Sequence, residues 1–289
     1  MANINTELDK TLTGTISLND ADARGLAEVL SGSISLIDFY GKAKWEAMVA
    51  TGGVITYSGD YKIHTFNSSG SFAISSLGVG AGANYMEYLI VAGGGGGGTS
   101  NTEGRAGGGG AGGLIPGTKP ITATGSNLVI VGRGGAGGST GGTRRGSNGT
   151  SSSVFGVSTV GGGGGGAAGS LNGASGGSGG GGGEYYGVGS GGAGTPGQGY
   201  AGGAGSSYGG GGGGHNGPGS NLYCGSYYPS YITGAGVAYA RGGYGSLVDV
   251  NQSNAYYSAN CGYGGSAQDS VNGGAGSPGV VIIRYKVVQ

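Results

Sequence analysis

The chain has 289 residues and carries 13 basic against 13 acidic side chains, a formal charge of zero. Such a balance gives no electrostatic reason to expect nucleic acid or an anionic membrane surface as a partner. Glycine fills 82 positions, far above the ordinary usage of about 7%, which excludes the common helical and α/β domains as the body of the protein.

Residues 1–45 differ in character from the rest of the chain. The first ten are polar, so no secretory leader is expected. No window approaches the roughly 18 apolar residues of a membrane span, and membrane insertion is not expected. With two cysteines in all, the expectation is a chain made and kept reduced in a cytoplasm, without a zinc site; whether Cys224 and Cys261 pair stays open. The segment echoes itself, Gly14-Thr15-Ile16-Ser17-Leu18-Asn19-Asp20 returning as Gly32-Ser33-Ile34-Ser35-Leu36-Ile37-Asp38. Between the two, Asn19 or Asp20 is placed to cap a short helix over 21–30. A segment this short buries too little apolar surface to fold alone. Ile16, Leu18, Ile34, Leu36, Phe39 and Tyr40 therefore read either as side chains that dock on the body or a partner, or as parts of a loosely packed arm.

Residues 46–92 read as β. Short alternating runs at 54–57, 61–66 and 71–74 are separated by the turn signals Ser58-Gly59-Asp60 and Asn67-Ser68-Ser69-Gly70. Residues 84–92 are a further apolar run, 128–131 give a strand within the glycine-rich part, and 280–288 another after it. Runs this apolar suit strands buried on both faces. They predict a compact β base that collects both ends of the segment between them.

That segment, 93–279, holds all but eleven of the glycines. Glycine-rich chains with nothing to bury are flexible coils, but only ten charged residues fall here and apolar segments such as Ser153-Val154-Phe155-Gly156-Val157 interrupt the runs. Order is the better reading. Helix and strand both disfavour glycine. Collagen needs glycine at each third position and much proline, whereas these glycines are consecutive and the chain has six prolines. What remains is a bundle of extended threefold rods from one chain, close enough for backbone to bond backbone. Interruptions fall near 99–106, 143–160, 167–172, 184–190, 195–200, 206–208, 215–233, 246–261 and 266–272. If each run is one rod, successive interruptions land at opposite ends. If 234–245 folds back once, the two long late interruptions share one tip; if it is straight, they do not.

Tyrosine carries the functional signal. Thirteen of the 19 tyrosines lie between 185 and 263, interleaved with Ser, Asn and Gly, the composition of binding loops. Tyr223, Tyr227, Tyr228, Tyr231, Tyr256, Tyr257, Tyr185 and Tyr186 are the candidate receptor-binding residues; the competing reading is that such rings cover a glycine surface that has no side chains of its own. Catalytic signals are poor. G-x-G-x-x-G matches arise here by composition alone, and His64 and His215 have no nucleophile–acid pairing. The acidic residues of the segment lack metal-ligand spacing. No enzyme, cofactor or metal is expected.

Tyr88-Leu89-Ile90-Val91-Ala92 followed by 93–98, with 161–166, 209–214 and the closing Ser277-Pro278-Gly279-Val280-Val281-Ile282-Ile283-Arg284-Tyr285, resembles the glycine-rich domain of bacteriophage tail and fibre proteins. Ile63-His64-Thr65-Phe66 and Ser69-Gly70-Ser71-Phe72 resemble the strands that precede that domain, and 32–42 is similar to N-terminal segments of phage virion proteins. The alternation of glycine runs and variable segments is similar to the tail-fibre tip adhesins of T-even-like phages, although residues 1–45 do not match their attachment domain. The resemblance implies a mainly β and irregular fold: an attachment arm (1–45), a β-strand base (46–92), a polyglycine II sandwich with variable loops (93–279) and a closing strand of the base (280–289). It also implies a virion protein. The arm would meet other virion proteins through the six apolar residues named above, and the loops would bind a host surface protein or glycan, with 215–233 and 246–261 facing the receptor. Oligomeric state stays open. A purely structural fibre, collar, baseplate or decoration protein is the alternative within the virion, and an ice-binding glycine-helix protein is the remote one.

Overall fold

The computed structural model of the chain describes residues 45–100, 104–142, 144–168, 171–246 and 259–287. The helix expected over 21–30 lies outside the described residues, as do Ile16, Leu18, Ile34, Leu36, Phe39 and Tyr40. The described residues contain no helix, and their strands are β1 (Val49–Thr51), β2 (Val54–Ser58), β3 (Tyr61–Phe66), β4 (Gly70–Ser76), β5 (Tyr85–Val91), β6 (Thr99–Ser100), β7 (Leu114–Pro120), β8 (Gly125–Val129), β9 (Ser152–Val154), β10 (Val157–Thr159), β11 (Tyr228–Ser230), β12 (Val237–Tyr239), β13 (Gln268–Asp269) and β14 (Val280–Lys286). They form several small sheets, antiparallel except for the short pair β6–β13, and no barrel.

The largest sheet has five strands in the order β2-β3-β14-β5-β7. β14, late in the chain, is its central strand, with Val281 opposite both Phe66 and Ile90. Its side chains alternate between two cores. Val281, Ile283 and Tyr285 join Met86, Ile90, Phe66 and Phe72 on one face; Val280 and Ile282 join Ile63, Leu89, Leu114 and Tyr239 on the other. Burial on both faces is what makes this run, and the end of β5, continuously apolar. The three-stranded sheet β1-β4-β8 closes the first core through Ala50, Phe72, Ile74 and Val129, and the β11–β12 hairpin closes the second.

The two edges of the large sheet differ. β7 carries Pro116 and Pro120, which an edge tolerates because the missing N–H faces away from the ladder. Gly117 sits opposite Tyr88, whose ring occupies the space of its absent side chain; a Cβ there would lie 2.4 Å from the ring carbon Cζ. β2 is exposed on both faces, Val54 at 60% and Tyr57 at 66%.

His64 is wholly buried on β3, its Nδ1 2.7 Å from Gly52 O, its ring edge-on to Phe72 and stacked on Tyr285. Burial holds its pKa below the ordinary 6.5, and the charge of Lys62 adds to this while the Gly52 carbonyl opposes it. The unfolded chain therefore binds a proton that the folded one refuses, so stability is full above about pH 6.5 and falls as pH drops below it. One such proton gives a limiting slope of about 1.4 kcal/mol per pH unit. Denaturant unfolding between about pH 7.5 and 5.5 should show stability falling with pH, at no more than this slope. His64→Gln should flatten it, and equal slopes in the two proteins would rule the account out.

Beyond β5 the chain crosses the body in the six-glycine run 93–98. Its N–H groups donate in turn to the carbonyls of Thr150, Ser277, Gly110, Ser147, Gly274 and Gly107 at 2.8–3.0 Å. Partners of residues three apart lie on one neighbouring segment and step back by three. The carbonyls of 93–98 accept in turn from Gly162, Gly135, Gly265, Gly165, Gly138 and Gln268, and these step forward by three. The run thus meets six neighbours, antiparallel on its N–H side and parallel on its C=O side, with every backbone group paired. Glycine is required by the spacing: a Cβ built at any of the six would come within 2.0–2.2 Å of a neighbouring carbonyl oxygen. Residues 107–112 keep the period of three, donating to Gly166, Gly210, Gly265, Gly163, Gly213 and Gly262; two of these neighbours step back and the third, 210–213, steps forward.

Successive runs reverse at alternate ends of this slab. The base end holds the connections through β7 and β8, the β9–β10 hairpin, 176–178, 195–198, 215–218, 226–239 and the start of the pass at 259–261. The distal end holds 184–188, 206–208, 221–223 and 269–272, with the connections entered at Ser100, Gly142 and Ala168. Residues 240–246 make one straight pass, from Ala240, whose N–H donates to Cys261 O, to Ser246, whose N–H donates to Ala106 O. The segment between the two long late interruptions therefore does not fold back on itself; Ser246 ends at the distal side, where Gly245 N–H donates to Leu222 O, and residues 247–258 lie outside the described residues.

Candidate functional site

Three distal turns lie side by side. Residues 184–188 join Gly183 to Gly189, and 206–208 join Gly205 to Gly209. Gly205 N–H donates to Gly189 O, and Leu222 N–H donates to Gly209 O, both at 2.9 Å, which sets 221–223 next in line. Each turn is short because the rods it links are adjacent. Ser206 N–H reaches Tyr208 O and Ser220 N–H reaches Tyr223 O, again at 2.9 Å. Arg105 and Glu184 exchange backbone hydrogen bonds of 2.7 and 2.8 Å beside the first turn.

These turns present Tyr185, Tyr186, Val188, Tyr208, Leu222 and Tyr223. Tyr186 is 86% exposed, Val188 66%, Tyr223 64% and Tyr208 39%, an apolar and aromatic surface where a solvated face is ordinarily polar. The Tyr185 and Tyr186 rings stand 4.5 Å apart at 60°. Tyr186 and Leu222 hold φ of 50° and 71°, the left-handed region in which a side chain costs roughly 1–2 kcal/mol. Glycine would relieve both, in a chain that uses glycine freely; local strain kept at an exposed site is a functional indication. Chemically the surface offers ring faces and phenolic hydroxyls. Among the described residues no group of three His, Cys, Asp or Glu side chains is placed to hold a metal ion.

The other candidate tyrosines are elsewhere. Tyr227, Tyr228 and Tyr231 belong to the base end: Tyr228 packs edge-on against His215 at 5.0 Å, and Tyr231 O accepts from Arg284 at 3.2 Å. The hairpin that carries them is anchored by Ile232 and Tyr239 in the second core. Tyr256 and Tyr257 lie outside the described residues. The structure thus gathers Tyr185, Tyr186 and Tyr223 and separates them from Tyr227, Tyr228 and Tyr231. Tyr208 is absent from the sequence-based candidates although its turn, Ser206-Ser207-Tyr208 between two glycine runs, is marked in the sequence; a length-based choice of loops passes over it.

The two thiols do not pair. Cys224 Sγ accepts from Arg241 Nε at 3.3 Å, whereas Cys261 is buried with its thiol toward Ala259 O at 3.6 Å. Burial pushes the Cys261 pKa up to about 11, so it stays a thiol and a poor nucleophile.

Among curated proteins none matches the chain. A family model described as a glycine-rich domain matches residues 67–286, from the β3–β4 turn to the end of β14. The match spans most of the chain and takes in the whole slab with its distal turns, so the protein belongs to this glycine-rich domain family.

Proposed function

We propose that the glycine runs are polyglycine II helices laid side by side as a sandwich on the β base, and that the protein is a bacteriophage virion adhesin, of the tail fibre or tail tip, that binds a host cell-surface receptor through its distal turns. The support for the helices is the bonding period of three, with separate neighbours for each third of the run. At ~3.1 Å per residue a six-residue run makes a slab ~19 Å thick. Residues 1–45 would carry the attachment to other virion proteins.

The observation that carries the adhesin reading is the cluster of exposed tyrosines on strained turns at one end of a cross-bonded slab. Rigid aromatic anchors bind at low entropy cost, and a backbone lattice holds them where receptor meets them. Labelled full-length protein is applied to a panel of bacterial strains and binding is read by flow cytometry. On a strain that binds, the double substitution Tyr186→Ala/Tyr223→Ala should weaken binding about 30-fold or more, the scale of losing a hot spot. Tyr231→Ala, at the base end, should leave it within about threefold. Binding that survives the distal pair and is lost with Tyr231 would overturn the assignment.

A further inference from the structure

The second face of the five-stranded sheet is covered only in part. The β11–β12 hairpin packs over the half next to the slab. Over the other half, where β5 begins and β14 ends, lies a groove of ≈ 360 Å³ with Trp45, Tyr61 and Tyr85 among its walls. The volume is that of a small-molecule site. It stands at the end of the molecule opposite the distal tyrosines.

Its polar groups form a row set by strand register. Thr118 on β7 is opposite Glu87 on β5, and Glu87 is opposite Arg284 on β14. Lys286 is opposite Tyr61. Arg284 is fixed on all sides: Nη2 lies 2.7 Å and Nε 3.1 Å from Glu87 Oε2, Nη1 donates to Tyr231 O and Ile232 O at 3.2 and 3.4 Å, and the guanidinium stacks 4.4 Å over the Tyr61 ring. Trp45 is fixed too, its indole N–H donating to Ala81 O at 3.3 Å. Tyr85 remains 59% exposed.

This chemistry selects among ligands. Arg284 and Glu87 neutralise each other, which leaves Lys286 at the rim and no set of charges built around an ionic ligand. A wholly apolar molecule would cover Thr118 and Lys286 and offer neither a partner. A neutral ring with one C–H face and a rim of hydroxyls satisfies both parts, the face against the aromatic rings and the rim against carboxylate, hydroxyl and amine. We infer that this groove is a saccharide-binding site that takes a neutral hexopyranose unit between Trp45 and Tyr85. The inference is independent of the distal turns, and would hold if they bound nothing.

Trp45 is the single tryptophan of the chain, so its emission reports on this groove alone. The full-length protein is titrated with the methyl glycosides of glucose, galactose, mannose and N-acetylglucosamine. At least one should give a saturable change in tryptophan emission. Tyr85→Ala, at an exposed position that does not hold the sheet together, should weaken that response about tenfold or more, and Thr118→Val should weaken it less, with far-UV circular dichroism unchanged in both. Absence of a saturable change with all four glycosides would overturn the proposal, as would a response that Tyr85→Ala leaves intact.

Discussion

Replacing Gly95 with alanine should destabilise the protein by at least about 3 kcal/mol. The added Cβ would stand 2.2 Å from Gly163 O and 2.9 Å from Gly162 O. In a side-chain core an extra methyl is absorbed by rotamer changes at about 1–3 kcal/mol. Here the obstacle is backbone, and that backbone is itself bonded: Gly163 N–H donates to Ser178 O, and its carbonyl accepts from Gly110. Moving it breaks those bonds in turn. At about 2–4 °C per kcal/mol for a chain of this size, the fall in Tm is about 6–12 °C, or folding fails. Gly141, on a distal turn, has no heavy atom within 4 Å of a built Cβ. Alanine there should be neutral or stabilise by about 0.4–1 kcal/mol, by narrowing the unfolded ensemble. Equal Tm values for the two variants would show that close backbone approach is not what holds the slab.

Amide exchange should divide the chain just as sharply. The N–H groups of 93–98 and 107–112 are bonded and enclosed by neighbouring rods, so they exchange only when the slab opens as a whole. For a global stability of about 5–15 kcal/mol, protection factors of at least about 10⁴ result. Amides in 186–188 and 207–208 should exchange orders of magnitude faster, since these turns lie outside the lattice. An unstructured glycine-rich chain would exchange at the peptide rate throughout. Mass spectrometry of peptides covering 93–113 and 203–214 separates the cases, and rapid exchange across 93–98 would leave the distal tyrosines without a rigid support.

How much of the fold is legible in the sequence depends on whether side chains mark it. β3, β4, β5 and β14 announce themselves because alternate or two-sided burial leaves a pattern of apolar residues. β7 is hidden by Pro116, Gly117 and Pro120, which an edge strand accepts and a central one would not. The β11–β12 hairpin is hidden by Pro229 and its glycines; Ile232 reads as a loop residue and Tyr239 as part of a glycine segment, yet both fill the second core. Within the slab, glycine runs carry no side chains to mark register or direction. The end at which a turn emerges is then a matter of counting passes, and one unnoticed pass exchanges the ends for everything after it. Residues 219–222, inside what reads as a single interruption at 215–233, are such a pass. That is why Tyr223 is distal while Tyr227 and Tyr231, a few residues on, are not.

The central position of β14 governs how the molecule is made. During translation β3 and β5 emerge early, each with one flank vacant, and the strand that fills both flanks is synthesised only after every glycine run. Partners this distant in the chain make for slow, late closure. The growing polypeptide is therefore a long slack loop until the last strand slots in, and a single step then fastens both ends of the lattice together.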